Sequence, residues 1–243
     1  MQNPILLKHL DQITAQKPDF AKLMVELLGF KPSIFMRTRL FQRAFLRIYK
    51  IVEEAKRIDP GKCKQNPTSL IKPPNNADEL TFAAVMLIQT LNNNEGSTSD
   101  FIGEFLAAAC FSANSQKDFN QSSFEYAVFK NRILSQPLAD MLGLYNDVTK
   151  MLDESQKSWE KRFLEVSSED ADYIDAGGQT LSTFNVICTI RDVCKDFNVD
   201  YEKAWLLQYG VVQTNSLQKA TASKVQERMS KIKEARFKAQ RGG

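Results

Sequence analysis

The chain has 243 residues, 43% of them hydrophobic, and its 32 basic and 29 acidic residues leave a net charge of +3. That is enough apolar material for one large folded body or two modest ones. A single histidine and four cysteines with no C-x-x-C pair exclude the usual four-ligand zinc site. The longest apolar runs, Ala83–Ile88 and Phe105–Phe111, fall far short of the ~20 residues of a membrane span, and Lys8, His9 and Asp11 interrupt the first apolar stretch where a secretory signal would need continuity. The chain is therefore expected to be soluble and intracellular where it is made, with its cysteines as free buried thiols.

Few glycines and little Val/Ile/Thr alternation favour helix over sheet. The stretch from Ile5 to Leu28 splits at Pro18-Asp19, which opens a second short helix that Gly29 stops. Ser33 caps the clearest amphipathic helix, roughly Ile34 to Ile58. Phe41, Phe45, Ile48, Val52 and Ala55 share its core face, and Arg39, Arg43, Arg47 and Lys50 line the opposite one. Asp59-Pro60-Gly61 ends it. Residues 62–76, with Pro73-Pro74, read as an irregular connector and a sub-domain boundary.

A buried helix is expected from Ala77 or Asp78 to Leu91, then one at Phe101–Phe111 capped by Ser97 or Ser99, whose small residues permit close approach of a neighbour. A polar loop at 112–123 and a short helix at Phe124–Leu134 follow. Pro137 starts a long helix through Phe163, unbroken or divided near Asp153. The acidic stretch 167–178 (Glu169, Asp170, Asp172, Asp175) lacks calcium-loop spacing and reads as a solvated loop. Thr180–Phe197 and Tyr201–Tyr209 form a helical pair with Asp200 as cap and Gly210 as stop. Its second helix is too uncharged for reading DNA, so the pair is a packed hairpin. Leu217–Arg241 has no glycine or proline, eight basic and two acidic residues, and only a thin apolar seam at Val225, Met229 and Ile232. Such a helix docks on a partner or frays.

Charge is segregated along the chain. Residues 31–64 hold ten basic and three acidic residues, a net +7, and 219–241 hold eight and two, a net +6. Between them, 65–218 hold eleven and twenty-one, a net −10. An acidic body with basic arms suits head-to-tail joining of copies or attachment to nucleic acid. No nucleophile stands beside a base. His9 has nothing local to orient it, and the carboxylate pairs Glu53-Glu54 and Glu169-Asp170 are sequence neighbours whose side chains diverge. The residues therefore point away from an enzyme, and to no cofactor, metal or catalytic group.

The expected fold is all-α: a multi-helix globular body with an extended basic C-terminal helical arm. The expected divisions are an N-terminal helical region at 1–61 with its basic amphipathic helix, a connector at 62–76, a helical body at 77–215 and the arm at 216–243. Candidate partner-binding residues are Arg39, Arg43, Arg47 and Lys50 on the first basic helix, and Lys224, Val225, Arg228, Met229, Lys231, Ile232 and Arg236 on the arm.

Between Leu80 and Val212 the order of features resembles the small helical proteins encoded near the tail genes of tailed bacteriophages. The points of contact are Leu80-Thr81-Phe82 opening a buried helix, the small apolar helix Phe101–Phe111, Phe124–Arg132, Pro137-Leu-Ala-Asp-Met-Leu, and the string from Ile190 through Phe197 and Tyr201 to Trp205. The resemblance implies a non-enzymatic structural or assembly subunit of the virion, in the head–tail connector or tail region, made in the host cytoplasm. It would form a homo-oligomeric ring among other virion proteins. The basic helix and the arm lie outside the resemblance and look like docking arms of ring subunits. A nucleic-acid-binding module using helix 34–58 and the arm is the alternative, and a soluble tail-assembly chaperone a further one. Neither involves a membrane.

Overall fold

The computed structural model describes residues 6–15, 19–28, 39–64, 69–91, 97–115, 117–166 and 185–241. Among them are ten α-helices and no strand, so the chain is all-α. The helices are α1 (Leu10–Thr14), α2 (Phe20–Leu28), α3 (Arg39–Lys56), α4 (Phe82–Leu91), α5 (Thr98–Ser115), α6 (Phe124–Leu134), α7 (Leu138–Val166), α8 (Asn185–Phe197), α9 (Tyr201–Leu206) and α10 (Tyr209–Arg241). The chain divides into two compact units. The first comprises Met1–Pro74 and Ala84–Lys150, and the second Asn75–Ala83 and Met151–Gly243.

In the first unit, Asp19 caps α2 by accepting from the Lys22 amide at 3.0 Å. The helical period of α3 then buries Ile48, Ile51, Val52 and Ala55 against Ile13, Leu23 and Leu27. The Phe20 ring packs 5.1 Å from Phe45. Helix α5 is capped twice over. Ser97 Oγ accepts from the Asp100 amide at 3.3 Å, and the Asp11 carboxylate accepts from the Ser99 amide at 3.1 Å and from its hydroxyl. Small residues then allow α6 to come close, because Leu134 occupies the space that a side chain on Gly103 would need. Phe111, Phe119, Tyr126 and Phe129 close the interface as an aromatic cluster, with ring centroids 5.5–6.5 Å apart. Below it Glu104 accepts from Lys130 at 2.8 Å and Tyr126 at 2.9 Å. Burial alone would raise the Glu104 pKa, but these hydrogen bonds outweigh it and hold the carboxyl below its ordinary value. The described end of the connector is fixed in place. Lys72 and Asn114 exchange two hydrogen bonds at 2.8 and 2.9 Å, and Arg132 donates to the Leu70 carbonyl at 3.2 Å.

His9 is buried in the same unit. Its Nδ1 accepts from the Leu6 amide at 3.3 Å, and its Nε2 lies 3.4 Å from Glu26. Burial and then Lys8 lower its pKa below 6.5, and Glu26 only partly opposes them. A proton on Nδ1 would also remove the acceptor that Leu6 uses. The unfolded chain therefore takes up a proton that the folded chain resists. The stabilisation is complete above pH 6.5 and is lost as pH falls from 6.5 through the lower folded value. Urea midpoints should drop between pH 7.5 and about 5 in the wild type, and a His9→Gln variant should flatten that slope.

In the second unit a short extended segment binds two helices. The Phe82 amide donates to Leu207 O at 2.8 Å and the Tyr209 amide to Leu80 O at 2.7 Å. This aligns the Phe82 ring with Trp205 and Tyr209. Asp78 Oδ1 accepts from Trp159 Nε1 at 2.9 Å and from Ser155 Oγ at 3.0 Å. Gly210 lies directly against Asp78, where an added Cβ would fall 2.7 Å from Asp78 Cβ. After α8 the chain reverses at Asn198 with a positive φ of 51°, a conformation asparagine tolerates better than most residues. Asp200 then caps α9 through the Lys203 amide at 2.8 Å.

Several expected boundaries move. The helix placed from Ala77 or Asp78 to Leu91 begins at Phe82, because Asn76 caps a 3-10 turn at Ala77–Glu79 and Leu80–Thr81 are held extended by Leu207–Tyr209. Helix α5 continues through Ser115, past the loop expected from residue 112, with Ser115 Oγ bonded back to Phe111 O. Helix α7 is continuous through Asp153. Gly210 does not stop a helix. It sits in the first turn of α10, which starts at Tyr209 and not at Leu217, because glycine is what fits against Asp78. The two compact units also cut the chain along other lines than 61, 76 and 215. One cut, Pro74–Asn75, falls inside the proline-bearing connector. Of the four cysteines only Cys110 is buried, its thiol pushed up to about 12 by burial, and Cys188 is exposed. The Ser33 cap, Pro18, Gly29 and the acidic stretch 167–178 lie outside the described residues.

Candidate docking surface

Helix α10 is 33 residues long, and its two halves have different surroundings. Near its start Tyr209 and Val212 are buried, and Asn215 donates to Asp196 at 2.8 Å. Lys219 reaches Asp196 at 2.8 Å and Asp192 at 3.4 Å, which pins the helix to α8. Lys219 lowers the Asp196 pKa, chiefly through this hydrogen bond, with Asn215 next. Farther along, Lys224 Nζ donates to Glu165 O at 3.3 Å. From Val225 to Phe237 every residue is exposed, on all sides of the helix. Val225, Met229 and Ile232 are 51, 52 and 52% exposed. They fall within about 60° of one another at 100° per residue.

The structure thus brings the arm residues of the expected set together. Val225, Met229 and Ile232 form one stripe with Arg236 in line behind it. Arg228 flanks the stripe and is exposed. Lys231 faces the other way, paired with Glu227 at 2.5 Å, an exposed bond that lowers the Glu227 pKa. The first basic helix is less uniform. Arg47 and Lys50 are exposed, but Lys50 shares a shallow surface with Glu53 and Glu54, and Glu53 pairs with Lys56 at 3.9 Å. The side chains of Arg39 and Arg43 lie outside the described residues.

Toward its start the stripe runs into an open cleft of about 580 Å³ within the second unit. Val211, Thr214 and Gln218 of α10 line it, with Trp159, Arg162 and Phe197 opposite. The Arg162 guanidinium sits 4.6 Å over the Trp159 ring, a cation–π contact. Sequence reasoning missed this cleft. Trp159 was visible only as one more apolar step in a long helix, and Asp78, which fixes its indole, carried no local signal. Phe124, at 80% exposure, and Val128 form a separate small apolar patch on α6 in the first unit.

No group of three or more His, Cys, Asp or Glu residues stands ready for a metal ion among the described residues. Among them, too, no helix is long and apolar enough to cross a membrane. No protein-family model, no curated protein and no solved structure matches the chain.

Proposed function

We propose that this chain is a non-enzymatic assembly subunit that docks on a partner protein through the distal half of α10. One observation carries the reading. Every residue of α10 from Val225 to Phe237 is exposed, and Val225, Met229 and Ile232 stand on one side of it. An isolated helix of this length is marginal in water, and apolar side chains aligned on a solvated helix mark an interaction face. Completing the burial of three half-exposed side chains is worth about 1 kcal/mol each. Anchoring by Lys219 and Lys224 reduces the ordering cost that would otherwise offset this gain.

The class of particle is a further part of the proposal. The order of features between Leu80 and Val212 supports a head–tail connector or tail subunit of a tailed phage, with other virion proteins as partners and a ring of copies as the assembled form. Nucleic acid is the weaker partner, because Glu53 and Glu54 dilute the first basic helix and an apolar stripe has no use on a phosphate backbone.

A photo-reactive benzoylphenylalanine in place of Met229, introduced in the producing cell, is expected to give one discrete heavier product containing a second protein. The same group in place of Glu227, on the opposite side of the helix, should give much less. Equal yields from both positions, or a product containing nucleic acid, would overturn the docking reading. A partner that is no virion component would overturn the assignment to a phage particle.

A further inference from the structure

Resting on that docking reading, we infer that the partner presents an acidic helix with a heptad apolar seam, and that α10 pairs with it as a coiled coil and not with a second copy of itself. Val225, Met229, Ile232 and Arg236 are spaced by four, three and four residues. This is the alternation of d and a positions in a heptad, the pattern of a coiled-coil seam. The positions beside such a seam, e and g, choose the partner through charge. Here they are Gln226 and Lys233 at e and Arg228 and Ala235 at g, so no acid flanks the seam. Both acids of the stretch, Glu227 and Glu234, fall at f, on the far side. There Glu227 is engaged with Lys231, itself on the outer face at c.

This arrangement selects against self-pairing. In a parallel pair of copies, Arg228 would face Lys233 of the other helix and Arg236 would face Arg236. In an antiparallel pair e faces e and g faces g, again with no acid available to answer the bases. Like charges at these positions are destabilising. A helix carrying Glu or Asp at e and g meets the same surface with both charged flanking positions, Arg228 and Lys233, favourably paired. An acid opposite Arg236 would fix the register, as a single polar residue at an a position does. Lys224 ties α10 to Glu165 O, and beyond it Val225, Met229 and Ile232 are half-exposed, so the seam is open to a partner.

The test uses the full chain and a synthetic helix of about four heptads, with Ile at a, Leu at d, Glu at e and g, and one Asp at an a position. A second peptide carries Lys at e and g, and a short DNA duplex is the third probe. At physiological ionic strength the acidic peptide is expected to bind, and the Lys peptide to bind weaker by about tenfold or more. Arg228→Glu with Lys233→Glu should reverse that preference, and Met229→Asp should remove binding of both peptides. The charge inference fails, and the docking reading survives, if the wild type ignores both peptides while the position-229 cross-link still forms. It fails likewise if sedimentation shows a dimer of the chain that Met229→Asp dissolves. Tighter binding of the duplex than of the acidic peptide, or acidic-peptide binding that Met229→Asp leaves intact, overturns both.

Discussion

Replacing Phe111 with alanine is expected to destabilise the first unit by about 3–5 kcal/mol. Phe111 is 1% exposed, and its ring is surrounded by Phe119, Tyr126 and Phe129 at 5.5–6.5 Å. Truncation removes the transfer free energy of a whole ring. The cavity left behind cannot close, because α5 and α6 are held at a fixed separation by Leu134 against Gly103. The edge-to-face contacts with its neighbours are lost as well. Urea unfolding followed by far-UV circular dichroism should show the drop. Phe124→Ala is the matched control: the same chemical change at an exposed site on α6 should stay within about 0.5 kcal/mol. A comparable loss in both variants would mean that the aromatic cluster is not what holds α5 to α6.

The second large effect belongs to Asp78. Asp78→Ala removes the acceptor of both Trp159 Nε1 and Ser155 Oγ. Trp159 is 6% exposed, so its N–H is left without a partner in a largely dry setting. A hydrogen bond to a charged acceptor is worth about 1.5–3 kcal/mol, and a buried orphan donor costs a similar amount. The expected loss for the second unit is about 2–3 kcal/mol, with a red-shifted Trp159 emission as water reaches the indole. Asp78→Asn keeps one acceptor oxygen and should recover about half of the loss. The position also bears on docking. Asp78 touches Gly210 in the first turn of α10, so loosening it loosens the root of the docking helix. Binding through the stripe should then weaken even though Asp78 contacts no partner.

Local chemistry made much of this molecule legible before its fold was known. The i, i+3, i+7, i+10 recurrence of Phe45, Ile48, Val52 and Ala55 marks a buried helical face, because helical period alone decides which side chains meet the core. Asp200 announces a helix start because a short oxygen-bearing side chain satisfies free amides at the first turn. The arm stripe was readable for the same reason. What stayed hidden depends on residues distant in sequence. Asp78 looks like a helix opener until Trp159, 81 residues later, supplies a buried donor for it. Gly210 looks like a stop until Asp78 takes up its missing side chain. His9 has nothing nearby in sequence to orient it, because Glu26 comes beside it only in the fold. Where the α7 seam turns polar, after Leu152, periodicity leaves two outcomes open. Packing along the second unit keeps the helix whole through Trp159.

No proline or further glycine interrupts α10 after Gly210, and this turns residue count into direction. The bearing of Val225, Met229 and Ile232 relative to the Asp78 clamp is set by how many residues lie between, at 100° for each one. One extra residue after Ser223 would swing the contact side by more than a quarter turn. Seven would return it to within about 20° of its native heading, merely farther out along the axis. The helix therefore works as a keyed shaft, in which angular phase matters more than reach, and natural length changes in this stretch should come in whole heptads.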